Sequence, residues 1–268
     1  MTTVARMLVT SLADAGVTSI WGVVGDALNP VTDAIRTEDR IEWIGVRHEE
    51  VAAFAVSAQA QLTGTIGVCA GTVGPGSIHL LNGLYDAKKS HAPVLAICGQ
   101  VPREELGSDF FQEVDNDQVF ADVAVFTRTI SDPAQAPLLV EQAVNAALQQ
   151  EGVAVLTLPG DVGDLDIPKG STTPSFVTAQ PSTMPSAEDI ASVAAVLNAG
   201  ERVTLLVGLG AQDAHDDVLA IADTLAAPMV VTLKAKEDFD DDNPFEVGQS
   251  GLIGNPAAQQ AFEECDVL

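Results

Sequence analysis

Basic side chains are the first scarcity: 12 Lys and Arg stand against 38 Asp and Glu, and the 268-residue chain carries a formal charge of −26. So acidic a surface repels phosphates, which argues against nucleic acid or an anionic membrane face as a partner of these residues. A solvated, solubilising surface accounts for the charge. Cysteine is scarce too, with Cys69, Cys98 and Cys265 widely separated. Two of them lie in apolar runs, IGVCAG and VLAICGQ, and read as small buried side chains in a reducing compartment, not as a disulfide framework. The four histidines show no ligand spacing, so the sequence assigns no metal ligand. No apolar run is long enough to span a bilayer. The N-terminus, MTTVARMLVTSLADAG, has Ala and Asp within a helical pattern and reads as a first helix, not a signal peptide. Internal repeats and low-complexity segments are lacking.

What is present alternates between helix and strand over the first 165 or so residues. Val4, Met7, Leu8 and Leu12 mark a helix ended by Gly16. VTSIWGVVG reads as a strand ending at Gly25, and NPVTDAIRT as a helix with Asn29 at the N-cap and Pro30 at the first helical position. IEWIGV is a strand. Residues 49–62 are a helix with Val51, Phe54, Ala55, Ala58 and Leu62 on one face, closed by Gly64. TIGVCAG is a strand, IHLLNGLYDAKKS a helix, APVLAICGQ a strand, 134–150 a helix and GVAVLTLPGDV a strand. These strands are continuous apolar runs without alternation, which predicts a parallel sheet covered on both faces. The expected fold is α/β, with two doubly wound parallel-sheet domains.

The first domain is expected over 1–166, a Pro/Ser/Thr-rich linker over 167–186, and an incomplete second domain over 187–268. The second opens with a helix capped by Ser186 and Asp189 in a capping box. RVTLLVGLGA and PMVVTL supply strands, HDDVLAIADTLAA and NPAAQQAFEEC helices, and DVL the start of a further strand. Because a sheet seldom stops there, the chain is expected to be the N-terminal part of a longer protein.

Ligands of parallel sheets bind beyond the C-terminal strand ends. Gly25-Asp26, His48-Glu49-Glu50, GTVGPGS and GQVPREE follow four successive strands there. A carboxylate at position 49 sits at a helix start, where the dipole favours it by about 0.3–1 kcal/mol. That alone explains it; the alternative is a desolvated acid that shares a proton with a ligand nitrogen. His48 and Glu50 read as capping or solvated groups. GTVGPGS lacks the Gly-Lys-Ser/Thr of a phosphate-binding loop, but its glycines let a planar ring approach closely. VGLGA is an incomplete dinucleotide turn. DFFQE serves as a hydrophobic plug or a substrate wall. KEDFDDDNP is a solvated acidic loop whose spacing does not fit a calcium site.

Together, IWGVVGDALN, IEWIGVRHEEVAAFA, GPGSIHLLNGLYDAKKSHAPVLAI, DFFQE, LPGDV and VGQSGLIGNPA resemble the thiamine diphosphate enzymes of the pyruvate oxidase and acetolactate synthase superfamily, across residues 20 to 257. HLLNGLYDA and Asp26-Ala27 lean toward the oxidase branch over the acetolactate synthases, and the stretches as a set most resemble the quinone-linked pyruvate dehydrogenases. The resemblance implies a pyrimidine-binding first domain and a Rossmann-like FAD-binding central domain. It implies that Glu49 binds the pyrimidine N1′ of the cofactor and is the catalytic acid. Gly25, Thr72 and Val73 would contact the pyrimidine, and His79, Phe111 and Gln112 the substrate side. Gly208, Gly210, Thr232, Lys236, Ser250, Gly251, Leu252 and Ile253 would touch FAD. Implied too are oxidative decarboxylation of pyruvate with a quinone acceptor, magnesium held outside this chain, and a homotetramer (a dimer of dimers) with active sites shared between subunits. The family would place the protein in the cytoplasm or peripherally on the inner face of the cell membrane. This segment alone is expected to be inactive. Two other readings stay open: an acetolactate synthase-like lyase with structural FAD, and a non-catalytic binding or regulatory protein.

Overall fold

Six short strands pair side by side, all parallel, in the order β2-β1-β3-β4-β6-β5. They are β1 (Ser19–Gly22), β2 (Glu42–Gly45), β3 (Gly67–Gly71), β4 (Val94–Gln100), β5 (Ala124–Thr129) and β6 (Val153–Pro159). This computed structural model describes residues 2–176 and 183–268 and divides into two units, Met1–Pro181 and Ser182–Leu268. Residues 177–182, within the expected linker, lie outside the described residues. Residues 167–176 run back over the first unit, where Ile167 and Phe176 pack against its core and Asn145 Nδ2 donates to Ser175 O at 3.1 Å.

The continuous apolar runs divide their side chains between two cores because successive strand residues point to opposite faces. Ile20, Val68, Ala70, Leu95, Ile97, Ala154 and Leu156 face one core, with helices α1 (Val4–Asp14) and α2 (Asn29–Arg36). Cys69, Val94, Ala96, Cys98, Val153 and Val155 face the other, with α3 (Glu49–Thr63), α4 (Pro75–His79), α5 (Leu81–Lys89) and α6 (Asn116–Val119) on that side of the chain path. Helix α7 (Ala136–Gln149) returns to the first face. The sheet is doubly wound, as expected. Burial pushes the Cys98 thiol up to about 12 and Cys69 well above the ordinary thiol value, so both stay protonated in the core.

Local readings fail at several points. Helix α2 begins at Asn29, with Leu28 and not Asn29 at the N-cap, because a 3-10 turn over Asp26–Leu28 runs directly into it. The inward face of α3 is Glu49, Ala52, Ala53, Val56, Ser57 and Ala60. The expected face is turned outward: Val51, Phe54 and Leu62 are 52%, 40% and 75% exposed. Apolar periodicity favours the face with the largest side chains, whereas close packing of α5 admits only small ones. Strand β5, at the sheet edge, escapes the sequence reading because its short apolar start gives way to Thr127, Arg128 and Thr129, and the four-residue α6 because it makes no apolar run.

The β4 and β6 exits are tied together. Asp161 accepts the Arg103 backbone N–H at 2.9 Å and its Nε at 2.8 Å, while Arg103 Nη1 donates to Ser131 O at 3.0 Å. Partial burial pushes the Asp161 carboxyl up, but the Arg103 backbone N–H and guanidinium outweigh it and hold it below the ordinary carboxylate value. A depressed folded pKa stabilises above the unfolded value of about 3.9 and ceases to as pH falls through the folded one. Asp161→Asn is therefore expected to cost about 1 kcal/mol at neutral pH, a figure limited by solvent screening of this half-exposed pair. Urea titrations should show that difference shrinking below about pH 4.

The second unit has a three-stranded parallel sheet, β7 (Leu205–Val207), β8 (Met229–Val231) and β9 (Glu246–Gln249), in sequence order. Its helices are α8 (Ala187–Ala199), α9 (His215–Leu225), α10 (Lys236–Phe239) and α11 (Pro256–Glu264). The capping box forms as expected, Ser186 Oγ accepting from Asp189 N at 3.1 Å. Val207, Met229, Val231 and Phe239 form the core. Phe239 anchors the acidic loop, whose Asp240, Asp241 and Asp242 are exposed. Strand β9 escapes the sequence reading because EVGQ carries one apolar side chain. Val267 forms a parallel bridge with Val203, consistent with the expected start of a strand at DVL.

Candidate active site

From β1 the chain passes to one side for β2 and then to the other for β3. The winding direction reverses between β1 and β3, which opens a crevice above their C-terminal ends. Gly25 and Thr72 meet there. A Cβ on Gly25 would lie 2.4 Å from both Cβ and Oγ1 of Thr72, so the close approach of the two strand exits requires glycine. Val73 is next to this contact, its backbone nitrogen packed against Gly99.

Glu49 reaches the same crevice from β2. His48 is extended and caps α3, its Nδ1 accepting the Glu50 N–H at 3.3 Å. Glu49 is thereby the first residue of the helix, where the dipole stabilises its charge. It is 7% exposed, and its Oε2 lies 3.0 Å from His79 Nδ1. Among the described residues its Oε1 has no hydrogen-bond partner. That oxygen faces Gly76, where a Cβ would stand 3.2 Å from it. Glu50 points elsewhere and accepts from Asn82. The His48 ring stacks on His79 with centroids 4.3 Å apart. Two histidines far apart in sequence thus flank one buried acid, an arrangement that residue spacing does not reveal.

The glycine-rich loop is built to expose backbone. Gly74 has φ +61°, in the left-handed region, and turns the chain into α4. Ser77 Oγ donates to Thr72 O at 2.8 Å, fixing that turn to the strand exit. Gln112 lies directly over Gly74, whose missing Cβ would be 2.6 Å from Gln112 O. Buried Gln100 holds this outer loop, donating through Nε2 to Val114 O at 2.5 Å. Asn116 Nδ2 adds a bond to Gly99 O at 3.3 Å. The sequence reading marked the stretches GTVGPGS and GQVPREE that contain Gly76, Ser77 and Gln100 without assigning those three residues singly, and it missed Asn116. His79 is brought to Glu49 and Gln112 to the glycine loop, but Phe111 is 79% exposed and touches neither core.

In the second unit Gly208, Thr232 and Ser250 follow the three parallel strands. Thr232 N donates to Val207 O at 2.9 Å and Ser250 N to Val231 O at 3.1 Å. Gly208 and Gly210 line an open cleft of about 480 Å³ with Leu205, Val218 and Ile221. Ser250 and Gly251 line a second, of about 290 Å³. Lys236 is engaged with Asp240, and Leu252 and Ile253 are exposed, so these three are not gathered with the glycines.

A family model described as "Thiamine pyrophosphate enzyme, N-terminal TPP binding domain" matches residues 2–119, and one for the central domain of the same enzymes matches residues 190–268. The chain belongs to the thiamine pyrophosphate enzyme family. It is 43% identical over all 268 residues to an uncharacterized 42.6 kDa protein of Pseudomonas amyloderamosa, covering 68% of that protein. It is 36% identical to a pyruvate oxidase of Lactiplantibacillus plantarum, over 94% of this chain and 42% of the relative. It is 34% identical to an acetolactate synthase large subunit of Parasynechococcus marenigrum, over 98% of this chain and 44% of the relative. The chain thus spans less than half the length of the last two.

The crevice suits the thiamine diphosphate of the family. A buried carboxylate with one unpartnered oxygen can take a proton shared with a ring nitrogen. Gly25 and Gly76 leave out the two side chains that would otherwise crowd a flat ring beside it.

Proposed function

We propose that this chain is the N-terminal part of a thiamine diphosphate- and FAD-dependent enzyme that converts pyruvate, water and a quinone to acetate, carbon dioxide and the quinol, the quinone taking the two electrons that pyruvate loses. The observation that carries the thiamine part is Glu49, buried at the β1/β3 reversal with Oε1 free beside Gly76. Bound thiamine diphosphate supplies the nucleophilic carbon and the electron sink that decarboxylation of a 2-oxo acid requires. Glu49 Oε1 would hold the proton shared with the pyrimidine N1′, with His79 beside Oε2. Thr72 and Val73 offer backbone to the ring, and Gly25 lets it approach. His79, Phe111 and Gln112 would line the substrate side, Gln112 from its place over Gly74 and Phe111 from the exposed part of the loop that Gln100 holds.

The pyruvate oxidase relative and the strand-end groups of the second unit support the flavin part. Of the residues the resemblance implies, Gly208, Gly210, Thr232, Ser250 and Gly251 would hold FAD, whereas Lys236, Leu252 and Ile253 are not gathered with them. Magnesium would be held by residues outside this chain. Homotetramers with shared active sites, and a cytoplasmic protein that docks on the inner membrane face, complete the proposal.

The acetolactate synthase relative favours a second reading, in which flavin is structural and two pyruvates condense. Product analysis separates them. The full-length enzyme with thiamine diphosphate, magnesium and FAD is expected to form one acetate per two-electron acceptor reduced. Acetolactate formed without acceptor reduction would overturn the oxidase reading.

A further inference from the structure

We infer that His48, Glu49 and His79 form a site for a borderline transition-metal dication of the zinc type. One nitrogen from each imidazole and one carboxylate oxygen all lie within 4.8 Å of one another. Ligands about 2.0–2.1 Å from a tetrahedral centre stand about 3.3 Å apart. The pair His79 Nδ1 and Glu49 Oε2, at 3.0 Å, is already near that spacing. The third ligand, His48, is brought alongside by the stacking of its ring on His79 at an interplanar angle of 27°. Side-chain rotation of His48, away from the Glu50 N–H, would close the remaining gap.

The donor set selects the ion. Two imidazoles and one carboxylate suit zinc, cobalt(II) or nickel(II), whereas magnesium and calcium prefer oxygen ligands. Three protein ligands leave coordination positions for water. Access is open, since the side chains of His48 and His79 are 47% and 42% exposed while Glu49, at 9%, is a fixed anchor. Two effects oppose binding. The positive end of the α3 dipole repels a dication, but the charges of Glu49 and Glu50 in the first turn offset it. The Glu50 N–H to His48 Nδ1 bond is lost, but at 3.3 Å it is long and weak. The metal would occupy the carboxylate that the cofactor needs, so a zinc-type ion would exclude thiamine; this consequence rests on the cofactor reading above.

Cobalt(II) is the probe, because its visible absorption reports the ligand field. Titration of the chain is expected to saturate at one equivalent. His48→Ala and His79→Ala should each weaken binding at least tenfold, since even loss of a group that only supports a metal ligand costs 10–100-fold. His91→Ala and His215→Ala, the other two of the four histidines, should leave it unchanged. Thermal melts check that each variant folds, and Glu49→Gln provides a third, shape-conserving loss. Unchanged affinity in folded His79→Ala, or displacement of cobalt by excess magnesium, would overturn the site and assign the binding to the acidic surface. Saturating thiamine, which has no phosphate to chelate cobalt, should raise the cobalt concentration needed for half-saturation. If cobalt binds through both histidines and thiamine has no effect, the metal site stands and the placement of the pyrimidine on Glu49 fails.

Discussion

Glu49→Gln in the full-length enzyme is expected to cut pyruvate-dependent acceptor reduction by about 10²–10⁴-fold, the range for loss of a positioned acid–base group. The amide keeps the size and shape of the side chain but cannot share a proton with a ring nitrogen in the same way. Folding should hardly respond. The substitution removes a favourable dipole interaction of about 0.3–1 kcal/mol and the charge, but not the acceptor oxygen, of the contact with His79, and Glu49 packs no large apolar surface. Denaturant midpoints should thus stay close to the parent while turnover collapses. Steady-state assays with a dye acceptor read the first quantity and urea titration the second. Parental turnover in the amide variant would remove the ground for placing thiamine chemistry here.

Gly83→Ala is expected to destabilise the first unit by about 2 kcal/mol, within the 1–3 kcal/mol range of overpacked cores. Helix propensity alone predicts the opposite, since alanine is favoured over glycine by about 0.8–1 kcal/mol in a helix interior. Packing wins because of what the new methyl group meets. It would lie 2.6 Å from Ala53 Cβ and 2.6 Å from Phe54 N, and a backbone atom cannot rotate away. Helix α5 would have to back off from α3, and α3 carries Glu49 at its first turn. Activity should therefore fall with stability, unlike the Glu49 case, where the two separate. A variant more stable than the parent in urea would show that α3 and α5 are not closely packed at this point.

The two substitutions mark the limits of what local sequence expresses. Glu49 was legible as a candidate because it follows an apolar strand and opens an apolar helix, a junction visible in nine residues. Gly83 was not. Nothing around it in LNGLYDA says which helix it touches. The same holds for α3, where Val51, Phe54 and Leu62 outweigh Ala52, Ala53 and Ala60 in any reading of periodicity, yet the small residues face inward. Gly25 was legible as a turn, but its contact with Thr72 was not. Gln100 and Asn116 hold the outer loop through bonds to backbone atoms that carry no side-chain signature.

By itself the sequence determined a parallel, doubly covered sheet, the start of α3, the capping box at Ser186 and the inert character of Cys69 and Cys98. Each of these follows from apolar content or from neighbours within a few residues. Only the tertiary structure decided that His48 and His79 flank one carboxylate, that Thr72 lies under Gly25, and which side of α3 is buried. Those outcomes depend on the strand order β2-β1-β3-β4, which brings distant segments to one crevice. Strand order results from the competition of long-range packing free energies, and no local pattern of residues encodes it.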